Sequence, residues 1–345
     1  MIILGIESSC DETAAAIMEN DERLLANVVS SQIELHRKYG GVVPELASRR
    51  HLEDIYPVVD EALHQAGLTL DRIDGLAVTQ GPGLIGSLLV GLSFAKALSM
   101  VKKIPYVGVD HMEGHLFSVF LGREKPSFPF LALIASGGHS SLFHVTDRFR
   151  FNLVGRTRDD AAGEAFDKVA KILGLPYPGG PIISSLAAKG DPKAIAFPRA
   201  WLAPDSLDFS FSGIKTSVAN YVKQNTRLTG EGGLAQGNEK EIADICASFQ
   251  EAVIDVLTGK TISAAGRFGV SNIVLAGGVA SNPRLREVLF EEGQKNGFRV
   301  FMPPREFCTD NAAMIALAGF HRFQQSAVTT YEMDVYSRSP FTVPR

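Results

Sequence analysis

Cysteine is scarce: Cys10, Cys246 and Cys308 are the only three in 345 residues, and none stands in a CxxC pair. That excludes a disulfide framework and a cysteine-rich zinc site, and it suits a reducing compartment. Excess charge is also missing. Lys and Arg total 34 against 38 Asp and Glu, a net charge of −4, so no global attraction draws the chain to nucleic acid or to an anionic membrane. Any nucleic-acid contact is then local, or shared with partners. No basic stretch precedes the first apolar run, which Glu7 interrupts, so the N-terminus does not read as a secretory signal. The best membrane candidate, Leu84 to Val101, holds several serines and glycines and Lys96, and reads as a buried helix. The cytoplasm is the expected location. GxxxxGK[ST] does not occur and no GxGxxG reads as a Rossmann fingerprint, so neither P-loop nor dinucleotide binding is supported. Gly81-Pro82-Gly83-Leu84-Ile85-Gly86 mimics the latter only superficially, and reads as a tight turn that packs a helix on a sheet.

What is present is enough apolar residue, 45%, for a sizeable core, and enough length for two domains. Strands are expected at Ile2 to Ile6, Thr13 to Met18 and near Leu24 to Ser30. A helix from Pro44 to Gln65 follows, with Leu46, Leu52, Ile55, Val58, Val59 and Leu63 at helical spacing and Gly67 ending it. Leu76 to Thr79, a glycine-rich turn, a long helix and Pro105 to Val109 complete an α/β unit. At Phe130 the plan restarts: strand Leu131 to Ala135, small-residue turn, strand Leu142 to Val145. ILGIESSCDETAAAI and LALIASGGHSSLFHV share strand, turn and strand in order, which points to a duplicated βββαβα fold. Further helices are expected at Ala162 to Leu173, Ile242 to Arg267, from Asn282 or Pro283, and from about Asp310 to Phe323, with a strand at Asn272 to Ala276. Gln224 to Gly237 reads as an exposed loop.

Chemistry gathers at a few places. In Asp110-His111-Met112-Glu113-Gly114-His115 the two histidines stand at i and i+4, one face of a helix, where they can share one ion. The alternative is a helix capped by Asp110 with two ordinary histidines. This is not HExxH: Glu113 faces away from the histidine edge and is not placed as a peptidase base. Asp310 is the leading third ligand, its alternative being an N-cap or first-turn acid. Two imidazoles and a carboxylate would leave coordination positions open, suiting Fe(II) or Zn(II) as a Lewis acid. Ser136-Gly137-Gly138, Gly277-Gly278 and Pro178-Gly179-Gly180-Pro181 are three small-residue turns suited to an anion, each of which alone is also just a turn. Asp167 is placed either to meet ribose hydroxyls or as a solvated helical acid. Arg37-Lys38 and Arg49-Arg50 suit phosphates or a plain solvated face.

Taken together, ESSCDET, GGVVPELASR, TQGPGLIGSLLVG, DHMEGH, ASGGH, DDAAGEAFDK, YPGGP, DFSFSGIKT, LAGGVASN and FCTDNAAM resemble the tRNA threonylcarbamoyladenosine transferase family of bacterial TsaD type, once labelled a glycoprotease. They run in order from Ile3 to about Phe323. The resemblance implies the duplicated α/β, actin-like, sugar-kinase-like and Hsp70-like ATPase fold around an interdomain cleft. Residues 1–128 would form the lobe with the histidines and 129–308 the lobe with the adenylate turns, with 309–326 a bridging helix and 327–345 a tail. It implies transfer of threonylcarbamoyl from threonylcarbamoyl-AMP to the exocyclic amine of the tRNA adenosine beside the anticodon. A small-molecule kinase or ATPase of the same fold is the rival. By resemblance, His111, His115 and Asp310 hold a divalent metal, Fe(II) first and Zn(II) second. Ile134, Ala135, Ser136, Gly137, Gly138, Asp167, Gly180 and Asn282 contact the adenylate. Asp11 is a candidate to orient or deprotonate the incoming amine, and equally a structural turn acid. His139 is a candidate only for supporting the site. The implied partners are tRNA, a TsaB-like paralogue and a TsaE-like ATPase, with no membrane. Ser8, Ser140 and Ser281 depart from residues common in the family, and none is a proposed ligand.

Overall fold

Successive side chains of the first strands point to opposite faces of the sheet, and the two faces take different helices. A computed structural model describes residues 1–225, 239–325 and 331–342. The loop expected from Gln224 to Gly237 lies outside them beyond Asn225. The chain opens with β1 (Ile2–Glu7), β2 (Glu12–Glu19), β3 (Arg23–Ser31), α1 (Ile33–Arg37), α2 (Pro44–Ala66), β4 (Gly75–Gly81), α3 (Ile85–Lys102), β5 (Tyr106–Asp110) and α4 (His111–Phe117). Leu4, Ile6, Ala15, Ile17, Leu76 and Val78 face one way and bury Ile55, Val58 and Val59 of α2 with Leu92 and Ala95 of α3. Pro44 opens α2, where a missing N–H costs nothing, and Gly67 closes it at φ 65°.

The second stretch holds β6 (Phe130–Ala135), β7 (Ser140–Asp147), β8 (Arg150–Arg156), α5 (Ala162–Ile172), α6 (Gly179–Ala187), α7 (Ser212–Gln224), α8 (Glu239–Phe268), β9 (Asn272–Ala276), α9 (Pro283–Lys295) and β10 (Arg299–Phe301). The last helix is α10 (Ala312–Gln324). The two sheets have the orders β3-β2-β1-β4-β5 and β8-β7-β6-β9-β10. In each, the first two pairings are antiparallel and the last two parallel. The duplication expected from the two strand-turn-strand segments is therefore present, and β8 supplies the third strand that the repeat requires.

The chain divides into two compact units, Met1–Arg123 with Pro303–Arg345, and Glu124–Met302. The helix that the resemblance placed as a bridge, α10, falls in the first unit. It packs on the opposite face of the first sheet, among Ala14, Ala16, Ala312 and Ala313. That face is built of small residues because the helix comes very close. A Cβ on Gly5 would sit 2.5 Å from the Ala312 carbonyl oxygen, and one on Gly319 would sit 2.2 Å from the Ala77 Cβ. The α3 helix differs from expectation. Ser87, Leu88, Gly91, Leu92, Ala95 and Ser99 are buried, whereas Ile85, Leu89, Met100 and Val101 are exposed. It lies in the outer layer beside α2, so only one of its faces has a sheet to meet.

Candidate metal centre

The two histidines stand one helical turn apart because α4 starts where β5 ends. Asp110 is both the last residue of β5 and the N-cap of α4, accepting a hydrogen bond from the Met112 amide at 2.9 Å. The capping reading of this motif is realised. His111 and His115 meet edge to face, with ring centroids 4.6 Å apart. Asp310 arrives from the turn before α10, where Asn311, not Asp310, is the N-cap. Its Oδ1 lies 3.4 Å from His111 Nε2 and 3.2 Å from His115 Nε2. Close approach of α10 to α4 depends on Gly114, where a Cβ would sit 2.8 Å from Ile315 Cδ1.

These three residues fit a cation by two independent observations. Their ligand atoms all lie within 4.8 Å of one another. His115 is fully buried; its Nδ1 has no hydrogen-bond partner, and its Nε2 has only the 3.2 Å approach of Asp310, out of line for a hydrogen bond. Such a group costs about 1–3 kcal/mol if left unsatisfied, and an ion at Nε2 removes part of that cost. The electrostatics agree. Burial would push His111 down, but Asp310 and Glu7 outweigh it and hold the imidazole well above its ordinary pKa. His115 is lowered by burial and by the neighbouring His111. Asp310 is held far below the usual carboxylate range; burial opposes this, and His111 and His115 overcome it. Asp310 and Glu7 thus favour positive charge at His111.

Sequence reasoning passed over Glu7, which matters most around this cluster. Its Oε2 lies 3.0 Å from His111 Nδ1, and it also accepts from Thr79 Oγ1 at 2.7 Å, while Oε1 accepts from the Ser9 amide at 2.6 Å. Ser9 Oγ lies 3.2 Å from the same His111 nitrogen. A carboxylate here fixes the tautomer with the proton on Nδ1 and turns Nε2 toward Asp310. The available signal was an acid at the end of an otherwise apolar strand, since a fully buried charge is the informative exception. Glu113 does face away from the histidine edge: it is buried and paired with Arg322 of α10, Oε2 to Nε at 2.9 Å.

Asp11 lies buried on the turn between β1 and β2, its main-chain carbonyl accepting from the Gln32 amide at 2.9 Å. After burial itself, the charges of Asp11 and Asp310 raise both Cys10 and Glu12 well above their ordinary pKa values, which places this turn within the field of the cluster. Arg37, Arg49 and Arg50 are engaged by acids of their own helices, Glu34, Glu45, and Glu53 with Asp54. The solvated-face reading is the one these contacts favour.

The remaining predicted residues belong to the second unit and converge on the C-terminal ends of β6 and β9, which pair in parallel from Phe130↔Asn272 to Ile134↔Ala276. Ile134 and Ala135 end β6, and the turn after them is closed by Ser136, whose Oγ accepts from the His139 amide at 3.2 Å. Around Gly137 and Gly138 nothing lies within 4 Å of where a Cβ would be. Gly163 of α5 packs under this turn, its Cβ position 2.6 Å from the Ser136 carbonyl oxygen. Asp167 accepts from the Gly179 amide at 2.7 Å and so fixes the start of α6, beside which Gly180 stands in open space. Asn282 caps α9 by accepting from the Arg284 and Leu285 amides at 2.9 and 3.1 Å, and its amide donates to Gln250 at 2.8 Å.

Comparison with known proteins adds the following. The family model of tRNA N6-adenosine threonylcarbamoyltransferase matches residues 23–317. The tRNA N6-adenosine threonylcarbamoyltransferase of Desulfotalea psychrophila is 58% identical over 343 residues, spanning 98% of this chain and 97% of that one. The enzyme of the same name from Desulforapulum autotrophicum is 54% identical over 341 residues, 99% and 100% of the two chains. Among solved structures, full-length HypF in its phosphate- and nucleotide-bound form superposes with a TM-score of 0.59 at 14% identity, covering 95% of this chain and 56% of that one. Component A of (R)-2-hydroxyglutaryl-CoA dehydratase from Acidaminococcus fermentans gives 0.54 at 17%, covering 93% and 98%. Identities this low bear on fold alone, and the fold they share is the α/β actin-like ATPase fold.

Proposed function

The chain belongs to the tRNA N6-adenosine threonylcarbamoyltransferase family, and from that premise we propose that it transfers the threonylcarbamoyl group of threonylcarbamoyl-AMP to the N6 amine of the tRNA adenosine beside the anticodon. The observation that carries the reading is the cluster of buried His111 and His115 with part-exposed Asp310, whose ligand atoms lie within 4.8 Å of one another. Fe(II) is the first assignment and Zn(II) the second, since imidazole suits both. His111, His115 and Asp310 would hold the ion, which when bound would supply Lewis-acid charge for a substrate oxygen.

The other residues bind and orient. In this reading the exposed amides of Gly137 and Gly138 and the N-terminal amides of α6 at Gly180 meet the adenylate, because no side chain there keeps a ligand from the backbone. Ile134 and Ala135 form the apolar floor before that turn, and Asp167 with Asn282 holds the neighbouring helix starts in place while bordering the ligand. The adenosine N6 attacks the carbonyl carbon of the mixed anhydride, the new N–C bond forms, the C–O bond to phosphate breaks, and AMP leaves. Asp11 takes the proton lost from N6. The activated anhydride brings its own leaving group, so positioning contributes most of the rate. The reaction runs in the cytoplasm with TsaB-like and TsaE-like partners, which share the grip on tRNA that a chain of net charge −4 does not supply alone.

Purified protein supplied with threonylcarbamoyl-AMP, tRNA and those partners is expected to yield modified adenosine by nucleoside mass spectrometry. His111→Ala is expected to lose both bound metal and transfer. Full transfer by metal-free His111→Ala protein would sink the metal role, and loss of transfer with metal retained would move it to other ligands.

A further inference from the structure

The last described segment, Tyr331–Thr342, returns to the first unit and ends against the helix that carries both histidines. Tyr336 Oη donates to Asp110 Oδ2 at 2.8 Å, and Ser339 Oγ donates to the same oxygen at 2.7 Å. Ser339 is buried, and its hydroxyl also accepts from the Phe341 amide at 3.1 Å. Asp110 Oδ1 is already taken by the Met112 amide at the start of α4. One carboxylate thus joins two C-terminal hydroxyls to the N-terminus of the metal helix.

The rest of the segment is held by main-chain hydrogen bonds and by Met333 and Val335, which pack on the first core. Gln80 donates to the Asp334 carbonyl at 2.6 Å and accepts, through its own carbonyl, from the Tyr336 amide at 3.1 Å. Lys96 donates to the Met333 carbonyl, and Ser99 meets the Tyr331 hydroxyl at 3.2 Å. Gly81 leaves room for it: a Cβ there would sit 2.1 Å from the Tyr336 carbonyl oxygen. Backbone anchoring of this kind tolerates many sequences. The two hydroxyls on Asp110 are specific, because replacing them leaves a buried carboxylate short of donors.

We propose that Tyr331–Thr342 is a positioning latch for the metal centre, in which Tyr336 and Ser339 fix Asp110 and thereby the first turn of α4, from which His111 and His115 project. The proposal rests on the metal reading above. Groups beyond the ligands themselves tune metal sites by fixing the direction of the donor, and their loss weakens binding by about 10–100-fold. The latch reaches the ligands through the helix backbone rather than through a ring nitrogen.

The test uses the full-length chain and Zn(II), with the dissociation constant read by chelator competition. Tyr336→Phe keeps the ring and loses the hydroxyl, Ser339→Ala loses the other, and the two are also combined. The combined variant is expected to bind Zn(II) about tenfold more weakly, with each single change intermediate. Tyr331→Phe, which loosens the same segment away from Asp110, is expected to bind as the unaltered chain does. If the combined variant does not fold, the two single variants carry the measurement. Unchanged affinity in folded variants lacking these hydroxyls would overturn the latch even if their thermal stability dropped. Equal weakening by Tyr331→Phe would overturn it too, since that would be a general loosening. Failure of the unaltered chain to bind one ion would instead overturn the metal reading on which the latch depends.

Discussion

At the scale of single residues, the proposed centre is as much the work of Glu7 as of its three candidate ligands. Glu7 is fully buried, and although burial alone would raise it, the contact with His111 leaves its pKa lowered. It receives the Ser9 amide and the Thr79 hydroxyl and so has one orientation in which to hold His111 Nδ1. Glu7→Gln keeps the shape but presents either a neutral acceptor or a donor. Metal affinity is expected to fall by about 10-fold, measured by chelator competition; affinity within twofold of the unaltered chain would remove Glu7 from the positioning role. His111 and His115 were legible as an i, i+4 pair, because helical spacing is local. Glu7 was not, because 104 residues separate it from His111 and only the parallel pairings of β1 with β4 and β4 with β5 bring them together.

At the scale of elements, two helices must stay in register for the three candidate ligands to meet. α4 carries the histidines and α10 follows Asp310 by two residues. They are clasped by Glu113 and Arg322, a pair whose carboxylate is 1% and guanidinium 29% exposed at the side chain. Burial leaves Glu113 raised despite Arg322, so removing the arginine strands a buried acid. Arg322→Met is expected to cost roughly 3 kcal/mol, read as a lower urea midpoint at neutral pH, and to weaken metal retention as α10 shifts. A change under about 0.5 kcal/mol would show that the clasp is dispensable. The element boundaries of β1, α2 and β9 and the start of α9 were legible from apolar period, Pro at a helix start and Gly after a helix end. The half-exposed face of α3 was not, since apolar composition reports how much surface a helix offers and not how many neighbours accept it.

At the scale of the whole molecule, pH acts through histidines away from the cluster. Burial pushes both His36 and His51 below the ordinary imidazole pKa. His51 lies 2.7 Å from Thr13 Oγ1 and donates to the Cys10 carbonyl at 3.0 Å, tying α2 to the turn that holds Asp11. His36 receives the Val43 amide at 3.3 Å. A folded pKa below the unfolded value means that the stability is present above about pH 6.5 and is lost as pH falls through the folded values. The share contributed by these two histidines, read as the difference in urea-derived stability between the unaltered chain and the His36→Gln, His51→Gln variant so that the opposite-signed contributions of the raised Glu12 and Glu113 cancel, is expected to be level from pH 8 to 7. It then declines below about 6.5 by up to roughly 1.4 kcal/mol per pH unit for each histidine. A flat profile down to pH 5 would contradict this sign. Sequence alone determined the duplicated α/β plan, the helical histidine pair and the glycine turns after strands, because period, spacing and backbone freedom are properties of neighbours along the chain. The tertiary structure decided which distant groups serve that pair: Asp310 as the third donor, Glu7 behind His111, Arg322 on Glu113, and Tyr336 with Ser339 on Asp110. Those choices depend on which side chains the sheet order and the small-residue face of the first sheet bring within hydrogen-bond reach, and no local pattern encodes a distance across the fold.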